Sequence, residues 1–302
     1  MRMDSGNFHL LWLNWPVAAF RLNAAGVAAY RSRAQGEVHV ARSARAFLRA
    51  LPRATHAVVW EFRKEWFPRA RRLRVLATPG AGRELLPSDA ELPPGVVRVN
   101  GAFHGAIMAE TVLAFMFAHA RGLYAAAAFQ RAGDLWPRDA LSPFCTRVAG
   151  TKAVVLGYGK IGRAIGDRLA ALGVSVVGIR RRNVADLVPE VRTADWLIAA
   201  LPGDTGTDGL VGPAVLRAMK RSAVLINVGR GNAVDEDALA RALAARRIGG
   251  AYLDVYRREP LSADAPLAGN LPGLVRLPHA SAFSPDYFPL FFKELAEGGW
   301  LA

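Results

Sequence analysis

The sequence predicts an α/β protein built on parallel sheets. Short apolar runs alternate with amphipathic helical stretches along nearly the whole chain, the pattern of strands and helices laid down in turn. From residue 152 onward the rhythm becomes regular, as in a doubly wound sheet. Between one apolar run and the helical stretch after it lies a glycine-rich turn, Gly157-Tyr158-Gly159-Lys160-Ile161-Gly162.

In the first third, residues 10–13, 57–60 and 74–77 read as strands, with a helix at 41–51. The apolar start at 9–20 is interrupted by Asn14 and Pro16 and preceded by Asp4, so it reads as a strand and turn, not a secretory signal. Proline and glycine cluster at 92–95, with Gly101 and Gly105 soon after, and a domain crossover is placed near residue 100. A long helix is expected over 109–128, then a polar, proline-bearing segment at 134–143. Residues 153–156 read as a strand, 161–172 as a helix and 174–179 as a second strand. Further strands are expected at 196–201, 223–228, 251–255 and 274–277. No repeat of solenoid period is present.

With 302 residues the chain has room for two domains, and 52% hydrophobic residues suffice for real cores. A charged fraction of 21% without low-complexity tracts argues against disorder. The single cysteine, Cys145, cannot form an internal disulfide, which fits a reducing compartment such as the cytoplasm. It lacks a partner motif and reads as a small core or linker residue. The net charge of +14 suggests nucleic acid, but only five of the 39 basic residues are lysine and the arginines are spread along the chain. No nucleic-acid tract is read from them, although a basic surface draws in anionic substrate and cofactor. No apolar run reaches 18 residues, so no membrane span is expected. No cluster of histidines and acids has metal-ligand spacing.

The glycine turn follows a strand and opens a helix. Its first glycine permits the tight bend, the second lets backbone approach a pyrophosphate, and the third lets helix pack on strand. The helix N-terminus presents N–H groups to the phosphates. In that setting the motif predicts a dinucleotide site. An acid ending the second strand would hold the ribose 2′-hydroxyl of NAD. Here the strand runs into Arg180-Arg181-Arg182, and the nearest acid is Asp186. Guanidinium groups bind a 2′-phosphate bidentately, so NADP is favoured, with NAD possible.

In an open parallel sheet, ligands bind beyond the carboxyl ends of the strands. Arg230 follows the strand at 223–228, Glu259 lies just past 251–255, and His279 ends 274–277. An arginine fork suits a planar carboxylate and a polarised carbonyl. A histidine titrates near neutrality, and a carboxylate beside it fixes its tautomer and favours its protonated form. Hydride from a nicotinamide and a proton from an imidazolium together reduce a ketone to an alcohol. Alone, each residue reads as a helix cap, a solvated loop residue or a buried histidine. Their succession behind a dinucleotide turn points to catalysis.

Further segments complete the pattern: Ala200-Leu-Pro-Gly-Asp-Thr205, Leu225-Ile-Asn-Val-Gly-Arg-Gly231, Gly250-Ala-Tyr-Leu-Asp-Val-Tyr-Arg-Arg-Glu-Pro260 and Leu277-Pro-His-Ala-Ser281. With the glycine turn they run in order over roughly residues 75–282, and the sequence thereby resembles the D-isomer-specific 2-hydroxyacid dehydrogenase family. The resemblance implies two flavodoxin- or Rossmann-like domains with parallel sheets and an active site in the interdomain cleft. The substrate domain would be 1–98 plus 281–302, and the dinucleotide-binding domain 99–280. Arg230 would hold the substrate carboxylate and oxo group, His279 would be the acid/base, and Glu259 its partner. Cofactor contacts would come from Gly157, Tyr158, Gly159, Lys160, Ile161, Gly162, Arg180, Arg181, Leu201, Pro202, Val228 and Asp254, the last at the nicotinamide carboxamide. The stretch Thr78-Pro-Gly-Ala-Gly-Arg83 looks like the family's substrate loop, with the N–H groups of Ala81 and Gly82 gripping the carboxylate. Glutamate at 259, where formate dehydrogenase relatives carry glutamine, supports hydroxyacid chemistry.

The implied activity is reduction of a small 2-oxo acid, of the glyoxylate or hydroxypyruvate type, by a cytoplasmic homodimer that needs no metal, nucleic acid or membrane. A non-enzymatic dinucleotide-sensing corepressor module is the alternative. The chain departs from the family pattern in its arginines after the second strand and in its short tail after His279. His104 either lines the substrate pocket or makes an interdomain hydrogen bond. Trp15, Trp60, Arg83 and Tyr287 are candidates for shaping specificity.

Overall fold

Eleven strands in two all-parallel sheets organise residues 6–302, which the computed structural model describes. Asp4 lies outside the described residues, and so does the side chain of Arg83. The chain divides into two compact units, Met1–His104 with Phe283–Ala302, and Gly105–Ala282.

The first unit holds β1 (Phe8–Trp12), β2 (Glu37–Val40), β3 (His56–Val59), β4 (Val75–Thr78) and β5 (Val97–Asn100), in the spatial order β2-β1-β3-β4-β5. This is the flavodoxin-like order. The three central strands are buried and mostly apolar, as their sequence predicts, with His9, His56 and Thr78 as buried polar members. The two edge strands were not expected. β2 reads Glu-Val-His-Val and β5 reads Val-Arg-Val-Asn, with exposed or half-buried residues throughout. An edge strand with one wet face carries no apolar run to announce it. Ser43 opens the helix Ala44–Ala50, its hydroxyl accepting the Ala46 N–H at 3.2 Å, and Phe47 is that helix's buried anchor.

The segment after Phe283 adds one helix to this unit, Tyr287–Glu297. It buries Tyr287, Phe288, Phe291, Phe292 and Leu295 along a single face. Phe292 meets Tyr30 edge-on, with ring centres 4.9 Å apart. The Glu294 carboxylate accepts the N–H groups of Ala102 (2.8 Å) and Phe103 (3.2 Å), fixing the end of the N-terminal segment to the returning helix.

The second unit holds β6 (Lys152–Leu156), β7 (Ser175–Ile179), β8 (Trp196–Ala199), β9 (Val224–Asn227), β10 (Gly250–Leu253) and β11 (Leu274–Arg276). Their order is β7-β6-β8-β9-β10-β11. The chain departs to one side of β6 to make β7 and to the other to make β8, so the topological switch point lies between β6 and β8. Alternate strand residues enter opposite cores. Val154, Leu156, Leu197 and Leu225 pack on one face, and Ala153, Val155, Ile198 and Ile226 on the other. Both faces are covered, which is why these strands read as continuous apolar runs. The helix expected over 109–128 is two helices, His104–Ala120 and Leu123–Arg131. Gly122 sits between them at φ +64, a left-handed conformation that ends the first helix. Among the described residues, no helix is long and apolar enough to cross a membrane.

Candidate active site

The glycine turn leaves the carboxyl end of β6 at the switch point. Gly157 has φ +94, and a Cβ there would lie 2.6 Å from the Ala200 carbonyl oxygen and 3.0 Å from the Leu201 nitrogen, beyond the end of β8. Only glycine lets these two strand ends approach so closely. A Cβ at Gly162 would strike the Gly157 carbonyl at 2.3 Å, so the helix Lys160–Ala171 packs directly under the turn. At Gly159 the situation is opposite: a Cβ would meet no protein atom within 4 Å. The middle glycine therefore faces open space at a helix N-terminus. Tyr158 lies against Gly178 of β7 and Gly166 of the helix, where added Cβ atoms would come within 2.4 and 2.7 Å of its ring and hydroxyl. At the end of β7, the Arg180 Nε donates to the Tyr158 carbonyl at 2.8 Å, tying this arginine to the turn. Arg181 is exposed, 3.6 Å from Asp204.

On the same sheet, the loops after β9, β10 and β11 carry Arg230, Glu259 and His279. After β9 the buried Asn227 shapes the loop: its side chain accepts the Gly229 N–H (3.1 Å) and donates to the Arg230 carbonyl (3.1 Å). Gly231 follows, and a Cβ there would fall 1.8 Å from the Tyr256 carbonyl carbon. The loop after β10 thus crosses directly over Gly231. In that loop the Tyr256 N–H donates to Glu259 Oε1 at 3.0 Å, and the Tyr256 hydroxyl lies within hydrogen-bond reach of the carbonyls of Leu253 (3.2 Å) and Leu277 (3.0 Å). One tyrosine therefore braces the ends of β10 and β11 together.

His279 Nδ1 donates to Glu259 Oε2 at 2.7 Å, with the two side chains 49% and 34% exposed. The acceptor is a carboxylate, so Nδ1 carries hydrogen and Nε2 is the nitrogen that exchanges a proton. The hydrogen bond to Glu259 lifts His279 above the ordinary histidine range. Burial and the Arg230 charge oppose the shift, while the charges of Glu259 and Asp254 add to it. For Glu259, burial pushes the carboxyl up. Hydrogen bonds from His279 and the Tyr256 N–H, with the charges of His279 and Arg230, outweigh that and hold it below its usual value. The backbone of His279 is left-handed, φ +53, a conformation costing a non-glycine residue about 1–3 kcal/mol.

In the first unit, Ala81 and Gly82 lie in the loop that leaves β4. The Thr78 hydroxyl donates to the Trp60 carbonyl (3.0 Å), and the Asn100 amide donates to the carbonyls of Gly80 (3.3 Å) and Gly82 (2.8 Å). These bonds set the shape of the loop. His104 Nε2 is 3.1 Å from the Tyr287 hydroxyl, so a hydrogen bond within this unit is what the structure offers that residue. Trp15, Trp60 and Phe20 cluster at the carboxyl end of the sheet, with ring centres 5.4 Å apart in each pair involving Trp60. The sequence pointed to Arg230, Glu259 and His279. It did not point to Asn100, Asn227 or Tyr256, which shape the loops; their one shared signal is a position at or just past a strand's carboxyl end. Among the described residues, no group of three or more His, Cys, Asp or Glu could hold a metal.

Residues 113–281 match the family model described as D-isomer specific 2-hydroxyacid dehydrogenase, NAD binding domain. The chain is 38% identical over 231 residues to a glyoxylate/hydroxypyruvate reductase B from Pectobacterium carotovorum, covering 72% of this chain and 71% of the relative. It is 31% identical over 243 residues to a glycerate dehydrogenase from Methylorubrum extorquens, covering 74% of each. A solved structure of an NADPH-dependent glyoxylate/hydroxypyruvate reductase from Sinorhizobium meliloti, bound to NADP and malonate, superposes with a TM-score of 0.72 at 25% identity, over 99% of this chain and 94% of that one.

Gly231→Ala tests the close crossing of loops. The added methyl must displace the Tyr256–Arg257 segment and with it Glu259. The rate of 2-oxo acid reduction is expected to fall by about 10²-fold, with the circular dichroism spectrum retained. A variant as active as the parent would show that the crossing has no part in the chemistry.

Proposed function

We propose a specific role for a chain that belongs to the D-isomer-specific 2-hydroxyacid dehydrogenase family and is thereby an NAD(P)-dependent oxidoreductase: it reduces a small 2-oxo acid of the glyoxylate or hydroxypyruvate type with NADPH. The 2.7 Å pairing of His279 with Glu259, on the unit that also bears the glycine turn, carries this reading. The names of the relatives support the substrate class, and the NADP-bound neighbour supports the cofactor. A non-catalytic sensor role is not favoured, because these relatives are named as reductases and dehydrogenases.

The residues at the turn fit a dinucleotide. Gly159 leaves space at a helix N-terminus, where N–H groups and the helix dipole favour a pyrophosphate. Tyr158, Lys160 and Ile161 complete the turn around it, and Leu201, Pro202 and Val228 lie at the neighbouring strand ends. Arg180, held by the Tyr158 carbonyl, and the exposed Arg181 offer two guanidinium groups to a 2′-phosphate at the end of β7. NADPH supplies the hydride.

This chain's side chains supply the rest. The Arg230 fork holds the substrate carboxylate and polarises the oxo group, and the Ala81 and Gly82 N–H groups are donors of the kind a carboxylate takes. His279 would give its Nε2 proton to the oxo oxygen during reduction. Glu259 stabilises the imidazolium and so favours the form that holds the proton. Only protonated His279 serves reduction. Its raised pKa extends reduction to higher pH than an ordinary histidine would, and the rate falls as pH rises through that pKa. Oxidation needs the neutral ring and gains over the same interval.

We further propose that the protein is a cytoplasmic homodimer. Leu123, Leu135, Trp136 and Phe144 are exposed large apolar residues in one stretch of the second unit, 57%, 77%, 80% and 52% accessible. Such a group fits a subunit contact better than a solvated surface. Its self-complementary use in a two-fold pair is the commonest assembly. The lone Cys145, exposed and free, fits a reducing compartment.

Three experiments test these readings. A panel of 2-oxo acids with NADPH should show consumption of the reduced cofactor, and His279→Gln should lower kcat by about 10²–10⁴-fold with NADPH binding unchanged. Retained activity in that variant would remove His279 as proton donor. Arg180→Ser with Arg181→Ser should weaken NADPH much more than NADH, whereas equal weakening would refute the 2′-phosphate assignment. Sedimentation should give a dimer that Leu135→Glu with Trp136→Glu converts to monomer, and a parent protein already monomeric at micromolar concentration would contradict the proposed contact.

A further inference from the structure

We propose that Asp254 is a positioning residue for the proton donor, a clamp that holds His279 in its left-handed backbone conformation and so aims the imidazole at Glu259. The proposal rests on the reading of His279 as the acid/base. Three consecutive N–H groups end on this one residue. The His279 N–H donates to the Asp254 backbone carbonyl at 2.8 Å. The Ala280 N–H donates to Oδ1 at 2.6 Å, and the Ser281 N–H lies 3.1 Å from both carboxylate oxygens.

Asp254 is placed to do this. It follows β10 directly, is 0% exposed, and its own N–H donates to the Asn227 carbonyl of β9 at 2.9 Å. The clamp is therefore anchored to the sheet, one strand away from Arg230. The far side of the loop is also held: the Thr111 hydroxyl donates to the Ser281 carbonyl at 3.0 Å. A buried carboxylate needs donors, and two consecutive loop amides supply them. A non-glycine residue at φ +53 needs surroundings that dictate its conformation, and the same bonds supply that. Each requirement answers the other.

This role differs in kind from a contact with the nicotinamide carboxamide. A cofactor contact acts first on NADPH affinity. A clamp acts on the His279–Glu259 distance, and so on the proton. The charged and titratable groups acting on His279 are Glu259, Asp254 and Arg230, with the Tyr256 hydroxyl braced between the carbonyls of Leu253 and Leu277. If the loop relaxes, His279 withdraws from Glu259 and loses the partner that favours its protonated form. Asparagine cannot replace the aspartate, because its amide group would set N–H against the Ser281 N–H.

The experiment compares Asp254→Asn and Asp254→Ala with the parent in NADPH Kd, in kcat for 2-oxo acid reduction, and in the pH at which reduction falls off. The clamp predicts a kcat lower by about 10²-fold, a fall-off moved to lower pH by about one unit, and an NADPH Kd within a factor of about three of the parent. An NADPH Kd weakened as much as kcat, with the fall-off unmoved, would overturn it in favour of a cofactor contact. Amide hydrogen exchange on the parent protein gives a test free of any folding defect. The Ala280 and Ser281 amides should exchange as slowly as those of β10, and rapid exchange would overturn the clamp. His279→Gln separates the two levels: if that variant stays active, the reading of His279 fails, whereas an inactive His279→Gln beside an unshifted Asp254→Asn profile rejects the clamp alone.

Discussion

The hydrogen bond between Glu259 and His279 is the interaction on which the second unit's architecture converges. It joins loops from two adjacent parallel strands, which alone would leave their side chains free to diverge. Tyr256 removes part of that freedom by bracing the ends of β10 and β11. Asp254 removes more by holding the segment after His279, and Gly231 lets the Arg230 loop pass beneath the Glu259 loop in near contact. Both partners are substantially exposed, so screening keeps the pair's contribution to stability small. Its consequence is a change in proton affinity, which is what acid–base chemistry near neutrality requires.

Parallel topology explains why the pieces can be so far apart in sequence. Each βα crossover returns the chain to the same end of the sheet, so successive strands end on one rim. The glycine turn at β6, the arginines at the end of β7 and the three charged residues beyond β9 to β11 then share that rim. The switch point at β6 and β8 opens the crevice, and Gly157 lets the two strand ends close up behind it. An arginine-rich chain carrying +14 adds a field that favours anionic ligands at such a rim.

Much of this was legible in the sequence, for a physical reason. Strands covered on both faces are mostly apolar, so β6, β8, β9 and β10 announce themselves, as do the central strands β1, β3 and β4. The edge strands β2 and β5 obey no such demand and were not read as strands. Gly122 did not reveal its left-handed conformation, so two helices read as one. In the site, the residues proposed to do chemistry stood out because a charge at a strand end is unusual. Residues that shape loops did not: Asn227, Tyr256 and Asn100 act through backbone groups, and nothing in the sequence marks which carbonyl or amide they will meet. The backbone of His279 was equally silent, since its conformation follows from bonds to Asp254 25 residues earlier and not from its neighbours.

The pairing at the rim is tested most directly by nitrogen-15 NMR of His279 across pH, in the parent protein and in Glu259→Gln. His279 should titrate above the ordinary value of about 6.5, with Nδ1 protonated throughout, and drop toward the ordinary value when Glu259 is neutralised. A His279 that titrates at or below the ordinary value in the parent, or that is indifferent to the substitution, would contradict it.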